Sequence, residues 1–324
     1  MDSLPARQKK TTLPMELNLL TIAKRAVLGS RIENLTNKTI KRIEEAVNLN
    51  SKIESLDDIS VEQKKYNREL TFIGIVSLLE QYLNFIHIDI LECFPSKISK
   101  KLLDVDLILE EGSIMGVLSK KAQEKVTDLA YGKFSSLTNI LQKNLELTGS
   151  LSDELINQIN EIKCTRDVYA HTDGKCNSIY LQKTNDDARV HSIGNELSID
   201  KPYFNESSQA ISKFISDMYA LIPDKFKKTN KKYILKQMWE ATCLNNRIPF
   251  ETAWIMEEHS DMARPNDFET TYGFSHSEVQ IYYFFLDIYC DEKRVDYKYL
   301  FSRWKPSSNE YQVVQSWLDS PFYF

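Results

Sequence analysis

Glycine and proline are scarce, with 9 of each in 324 residues. A β-sandwich or barrel needs many tight turns built on those residues, so their shortage argues against one and for long helices. Cysteine is also sparse: five, odd in number, widely spaced and without a C-x-x-C pair. That pattern excludes a disulfide framework or a zinc ribbon and leaves reduced, mainly structural thiols. Basic excess is missing too. The net charge is −5, so any contact with nucleic acid must use a local patch rather than the field of the whole molecule.

No uninterrupted apolar run reaches membrane-spanning length. The longest, over 72–90, is broken by Glu80, Gln81, Asn84, His87 and Asp89 and reads as a buried helix. The opening stretch MDSLPARQKKTTLP has charge but no apolar core or small-residue cleavage site, so no secretory leader and a cytosolic location are expected. Phosphate-cradling, dinucleotide-binding and nucleophile-elbow motifs are absent from the sequence, so nucleotide hydrolysis, hydride transfer and serine-hydrolase chemistry lack a carrier.

What is present is helical periodicity. Hydrophobic residues at 42% and charged residues at 27% suit a chain with a real core. Apolar positions from Leu20 to Val47 recur at helical spacing and predict two helices meeting near 34–37. A long helix starts near Val61, carries Leu70, Ile73, Val76, Leu79, Tyr82 and Leu83 on one side, and stops before Pro95. Another spans 119–147. Ser152 is the expected N-cap of the next, which holds Leu155, Ile156, Ile159, Ile162 and Val168 and runs out at Gly174. Residues 178–182 and 196–199 alternate enough to predict a small β-hairpin, and a helix follows over 207–221.

Lys225, Lys227, Lys228, Lys231 and Lys232 then crowd into eight positions, as a solvated linker or as a phosphate-facing patch. Lys97, Lys100, Lys101, Lys120 and Lys121 could line a channel with them. Beyond the lysines the composition shifts, because 21 of the 35 aromatic residues lie in 233–324. These rings either build a second small core or form a partner surface. The expected organisation is a helical extension over 1–60, a helical bundle over 61–226 and an aromatic-rich helical domain over 233–324. The fold class is all-α with one small hairpin.

One constellation carries chemistry. Arg166 and His171 lie five residues apart near a helix end, about 7.5 Å along its axis. Asp167 shares a helical face with His171, so its carboxylate could hold the imidazole. A histidine can give and take a proton near neutral pH, and an arginine offers fork-shaped donors to charge developing on phosphate. Those two roles suffice to cleave RNA by its own 2′-hydroxyl without a metal. The cluster Glu257, Glu258, His259 and Asp261 matches no metal-ligand spacing, and neither a metal nor an organic cofactor is expected.

The stretch Arg166-Asp167 followed by His171-Thr-Asp-Gly174 and Asn177 resembles the R-polar-x-x-x-H-x-x-G-x-x-N signature of the HEPN family, in its RiboL-PSP-like branch. Upstream, Val76-Ser-Leu-Leu79-Glu80-Gln-Tyr82 resembles that branch's first core helix, with an acid amid apolar residues. Downstream, Asn195-Glu-Leu-Ser-Ile199 leading to Tyr203 resembles its closing element, so the likeness covers 61–222. The resemblance implies a HEPN-like bundle that pairs as a homodimer and acts as a metal-independent endoribonuclease, commonly a toxin or anti-phage effector restrained by an antitoxin or regulatory protein. By position Arg166 would stabilise the phosphorane, His171 would act as general acid or base, and Asp167 would replace the usual polar residue. Glu80 and Tyr169 are assigned supporting roles, and the lysines at 225–232 substrate binding. Non-catalytic relatives that bind RNA or a protein partner supply the alternative.

Overall fold

The computed structural model describes residues 18–98, 109–130, 134–227, 231–256, 263–266, 273–290 and 294–323. Its elements, in order, are α1 (Ile22–Glu54), α2 (Val61–Cys93), α3 (Ile114–Ala130), α4 (Phe134–Leu145), α5 (Asp153–Thr172), α6 (Ser178–Thr184), α7 (Lys201–Leu221), α8 (Asp224–Lys227), α9 (Lys231–Glu240), α10 (Phe250–Ala253), β1 (Trp254–Met256), β2 (Ala263–Pro265), α11 (His276–Cys290), α12 (Tyr297–Arg303) and α13 (Asn309–Asp319). The fold is all-α with one small antiparallel pair, Ile255 opposite Arg264.

That pair is not where the sequence pattern puts it. Residues 178–184 form a helix because the Asn177 side chain accepts from the Tyr180 amide at 2.8 Å, an N-cap that nucleates a turn. From 196–199 only Glu196 enters a bridge, with Lys175. The break expected at 34–37 is also absent, since α1 runs through it. Thr36 is accommodated by bonding its hydroxyl to the Ile32 carbonyl and to Tyr82. The expected 119–147 helix is instead α3 and α4. The start of α2 at Val61, its end before Pro95, and Ser152 as the cap of α5 all follow the sequence reading.

The chain forms two compact units, and these do not run in sequence order. Among the described residues, one unit takes 30–91 and 119–227, the other 18–29, 92–98, 109–118 and 231–323. The expected extension over 1–60 is thus divided at Gly29; three of the four divisions fall inside α1, α2 and α3, and the fourth, after Lys227, falls between α8 and α9.

In the first unit α2 supplies much of the core. Phe72, Ile75, Val76, Leu79, Tyr82, Ile86 and Ile90 are all buried, each contributing roughly 1.5–3 kcal/mol by leaving water. By length and composition α2 is also the one described helix apolar enough to cross a membrane, and half of its most apolar window is buried. Helix α5 packs against α4, α6 and α7.

In the second unit the aromatic residues build a core. Trp239 meets Phe285 with centroids 5.0 Å apart, and Phe284 meets Trp317 at 5.5 Å. Leu19, Ile22, Ala23 and Ala26 belong to the same cluster, and the Ala23 amide donates to Ser316 Oγ at 3.1 Å.

Candidate functional site

Helix α5 turns a polar stripe outward opposite its apolar one. Asn160, Lys163, Cys164, Asp167 and His171 recur at steps of three and four and line one pocket with Arg166. Facing residues Glu80, Leu83 and Asn84 come from α2, at the same helical step, while Thr127 (α3), Phe134 and Leu137 (α4) and Lys183 (α6) complete it. Its volume is about 410 Å³. All these residues belong to one unit.

The end of α5 is set by its cap. Asp173 and Gly174 both take left-handed conformations, with φ of 52° and 74°, and a Cβ on Gly174 would stand 3.1 Å from the Tyr169 ring. Glycine is needed there for backbone and for space. The cap ends the helix just past His171, whose imidazole is exposed and makes no hydrogen bond among the described residues.

Arg166 is held from two sides. One Nη pairs with Glu80 Oε2 and the other with Asp167 Oδ1 at 3.0 Å, while its buried Nε has no partner among the described residues. Glu80 uses its second oxygen on Lys163 Nζ at 3.2 Å, and that ammonium lies 5.2 Å from the Phe134 ring centroid. The Glu80 carboxylate therefore sets two cations along the pocket wall. Lys183 makes no ion pair among the described residues.

Two side chains depart from the roles the motif gives them. Asp167 engages Arg166 and makes no bond to His171. The guanidinium beside it presents a fixed fork of donors, which an imidazole four residues away does not match. Tyr169 faces away from the pocket, donating to the Leu197 carbonyl at 2.8 Å and contacting Glu69 at 3.4 Å; burial and that carboxylate raise its hydroxyl above the usual tyrosine range. It lines a different cleft with Lys65, Asp173 and Glu196.

Of the lysines expected to hold substrate, Lys225, Lys227 and Lys231 are engaged elsewhere. Lys225 pairs with Glu146, and Lys227 donates to the Ala220 carbonyl and lies over the Tyr219 ring; neither lines the pocket. Lys231 donates to the Tyr323 carbonyl, and like Lys232 it belongs to the other unit. Lys228, Lys100 and Lys101 lie outside the described residues, as does the cluster from Glu257 to Asp261. Asn84, Asn160, Lys163 and Lys183 were not anticipated. The first three sit at helical steps from Glu80 and His171, a signal the periodicity contained. Lys183 had none, because it lies just past the strand expected over 178–182.

No family model, curated protein or solved structure matches the chain. The site's chemistry rests on its own geometry. Burial pushes the Cys164 thiol up to about 11, which keeps it protonated and unreactive at neutral pH. His171 and Arg166 line the pocket beside Glu80, Asp167, Lys163 and Lys183, and an imidazole and a guanidinium are side-chain types able to transfer a proton and to stabilise an anion. Behind them, Glu161 is buried and accepts from Thr165, Tyr180 and Arg189 on one oxygen and from Tyr203 on the other, at 2.7–3.0 Å. This network ties α5 to α6, to the 185–200 segment and to α7.

Proposed function

We propose that the protein is a metal-independent endoribonuclease of the HEPN kind, acting in the cytosol as a homodimeric toxin or anti-phage effector held in check by a protein partner. The observation that supports this reading most is that Arg166 and His171 line one pocket, the guanidinium braced by Glu80 and the imidazole free to meet solvent and substrate. In this reaction the 2′-oxygen attacks the adjacent phosphorus as its proton leaves. The bond to the 5′-oxygen breaks, and that oxygen receives a proton. His171 serves one of the two transfers, and Arg166 neutralises charge on the non-bridging oxygens of the phosphorane. The products are a 2′,3′-cyclic phosphate and a 5′-hydroxyl.

One observation favours the non-catalytic alternative, an RNA-binding module or scaffold. Two carboxylates, Glu80 and Asp167, already share Arg166, and both oppose an incoming phosphate. Purified protein incubated with RNA in EDTA separates the two. Cyclic phosphate ends that vanish in Arg166→Ala and His171→Ala, each removing about 10²-fold or more of the rate, support the enzyme. Cleavage that survives both changes refutes it, and RNA binding with no cleavage at any enzyme concentration favours the scaffold.

A further inference from the structure

The pocket holds more than the Arg166 and His171 pair needs. Its volume of about 410 Å³ lies within the roughly 300–1,000 Å³ of small-ligand sites, enough for a nucleotide unit rather than a phosphate alone. One wall is apolar and buried, built from Leu83, Phe134 and Leu137. Two carboxamides face the same space. The Asn84 amide makes no hydrogen bond among the described residues. Asn160 donates its Nδ2 to the Lys183 carbonyl at 2.9 Å, which leaves its Oδ1 as an acceptor. The Lys183 ammonium, on the same rim, is without an ion-pair partner among the described residues.

An apolar wall flanked by a donor–acceptor pair and a fixed acceptor is the chemistry that reads a nucleobase. The wall accepts the face, and carboxamides match the hydrogen-bonding edge, which is available only on an unpaired base. A free ammonium beside them suits the neighbouring phosphate. We propose that this pocket is a base-selecting subsite, in which Asn84 and Asn160 make the protein discriminate among the four bases next to the scissile phosphate and Lys183 holds the adjoining phosphate. The inference rests on the ribonuclease reading for its substrate class.

The experiment uses four short RNAs, identical except for one base at the cleavage position, and their 2′-deoxy analogues as uncleavable binding probes. They are assayed with wild type, Asn84→Ala, Asn84→Asp and Lys183→Ala, each checked for an unchanged melting temperature. Wild type is expected to favour one base by roughly tenfold or more, the discrimination of one bidentate contact. Asn84→Ala should level that preference, and Asn84→Asp, which replaces a donor by an acceptor, should move it to another base. Lys183→Ala should weaken all four probes alike. Base-selective binding of the deoxy probes without RNA cleavage would support the subsite and overturn the ribonuclease reading. Cleavage with all four bases equal, or a preference that Asn84→Ala and Asn84→Asp leave intact, would overturn the subsite and leave the ribonuclease reading standing.

Discussion

Replacing Glu161 by alanine tests whether the buried network behind α5 holds the site-bearing helix in place. The carboxylate is 5% exposed and accepts four bonds: Thr165 at 2.7 Å, Tyr180 at 2.8 Å and Arg189 at 3.0 Å on Oε1, and Tyr203 at 2.7 Å on Oε2. Arg189 stacks 3.4 Å over the Tyr203 ring and donates to the Ser198 carbonyl, so it cannot swing away to solvent without breaking both contacts. Glu161→Ala leaves the Arg189 charge without its carboxylate and the Tyr180 and Tyr203 hydroxyls without the acceptor they donate to, while Tyr180 keeps only the bond it accepts from the Arg189 amide at 3.0 Å. Removing one partner of a buried pair costs about 3–5 kcal/mol, and a unit of this size loses about 2–4 °C per kcal/mol. Thermal unfolding followed by far-ultraviolet circular dichroism should therefore fall by on the order of 10 °C. The double variant Glu161→Ala with Arg189→Leu should lose less than the sum of the single changes, because the orphaned charge goes with its partner. A shift of Glu161→Ala within about 2 °C of wild type would show that the network does not brace α5.

His87 is buried on α2, where Asn144 Nδ2 donates to its Nε2 at 2.6 Å, and burial reinforced by Lys125 lowers its pKa to about 4. The unfolded chain takes up this proton near pH 6.5 and the folded one only near pH 4. Stability is thus fully present above pH 6.5 and falls between those values by about 3 kcal/mol. Urea titrations from neutral pH to pH 4 should show that loss in wild type and a shallower one in His87→Gln; parallel curves would refute it. Arg166→Lys should keep the charge yet lose about 10²-fold in cleavage, because one ammonium cannot bridge Glu80 and Asp167 while presenting a fork to phosphate. A rate within threefold or so of wild type would remove the geometric role of Arg166.

Local signals carried far along this chain. The apolar stripe of α5, its Ser152 cap and the glycine at its end are short-range physics, and they place Arg166 and His171 one turn and a half apart at a helix terminus before any coordinates exist. Long-range pairings were not legible from periodicity. Nothing within 150–175 announces that Glu161 will meet Arg189 and Tyr203, and the salt bridge from Glu80 to Arg166 across 86 positions was expected only from the resemblance. The strand misreading at 178–182 arose because alternating side chains and a capped short helix look alike over five residues, and the Asn177 cap decided the outcome. Leu19 to Ala26 joining the aromatic core was hidden for another reason. The break between units lies within α1, where helical periodicity continues uninterrupted.

Glu80 separates charge from geometry in the pocket. Lys163, Arg166 and Lys183 bring three cations to it against two carboxylates, Glu80 and Asp167. Glu80→Gln removes one of the two anions, so a polyanion should bind more tightly, by about 1 kcal/mol or roughly fivefold for a pair this exposed. The same change replaces one of the two oxygens by an amide that cannot accept, so one of Lys163, at 3.2 Å, and Arg166 loses the atom that fixes it. Misplacing a transition-state donor by a fraction of an ångström slows the chemical step, here by about tenfold or more. Affinity and single-turnover rate should therefore move in opposite directions, Kd falling and the rate constant falling with it. If Glu80 served only to neutralise the lysine and arginine, its removal would raise both affinity and rate; if it served only to hold the fold, both would drop together with the melting temperature. Either result would refute its role as the residue that positions the two cations.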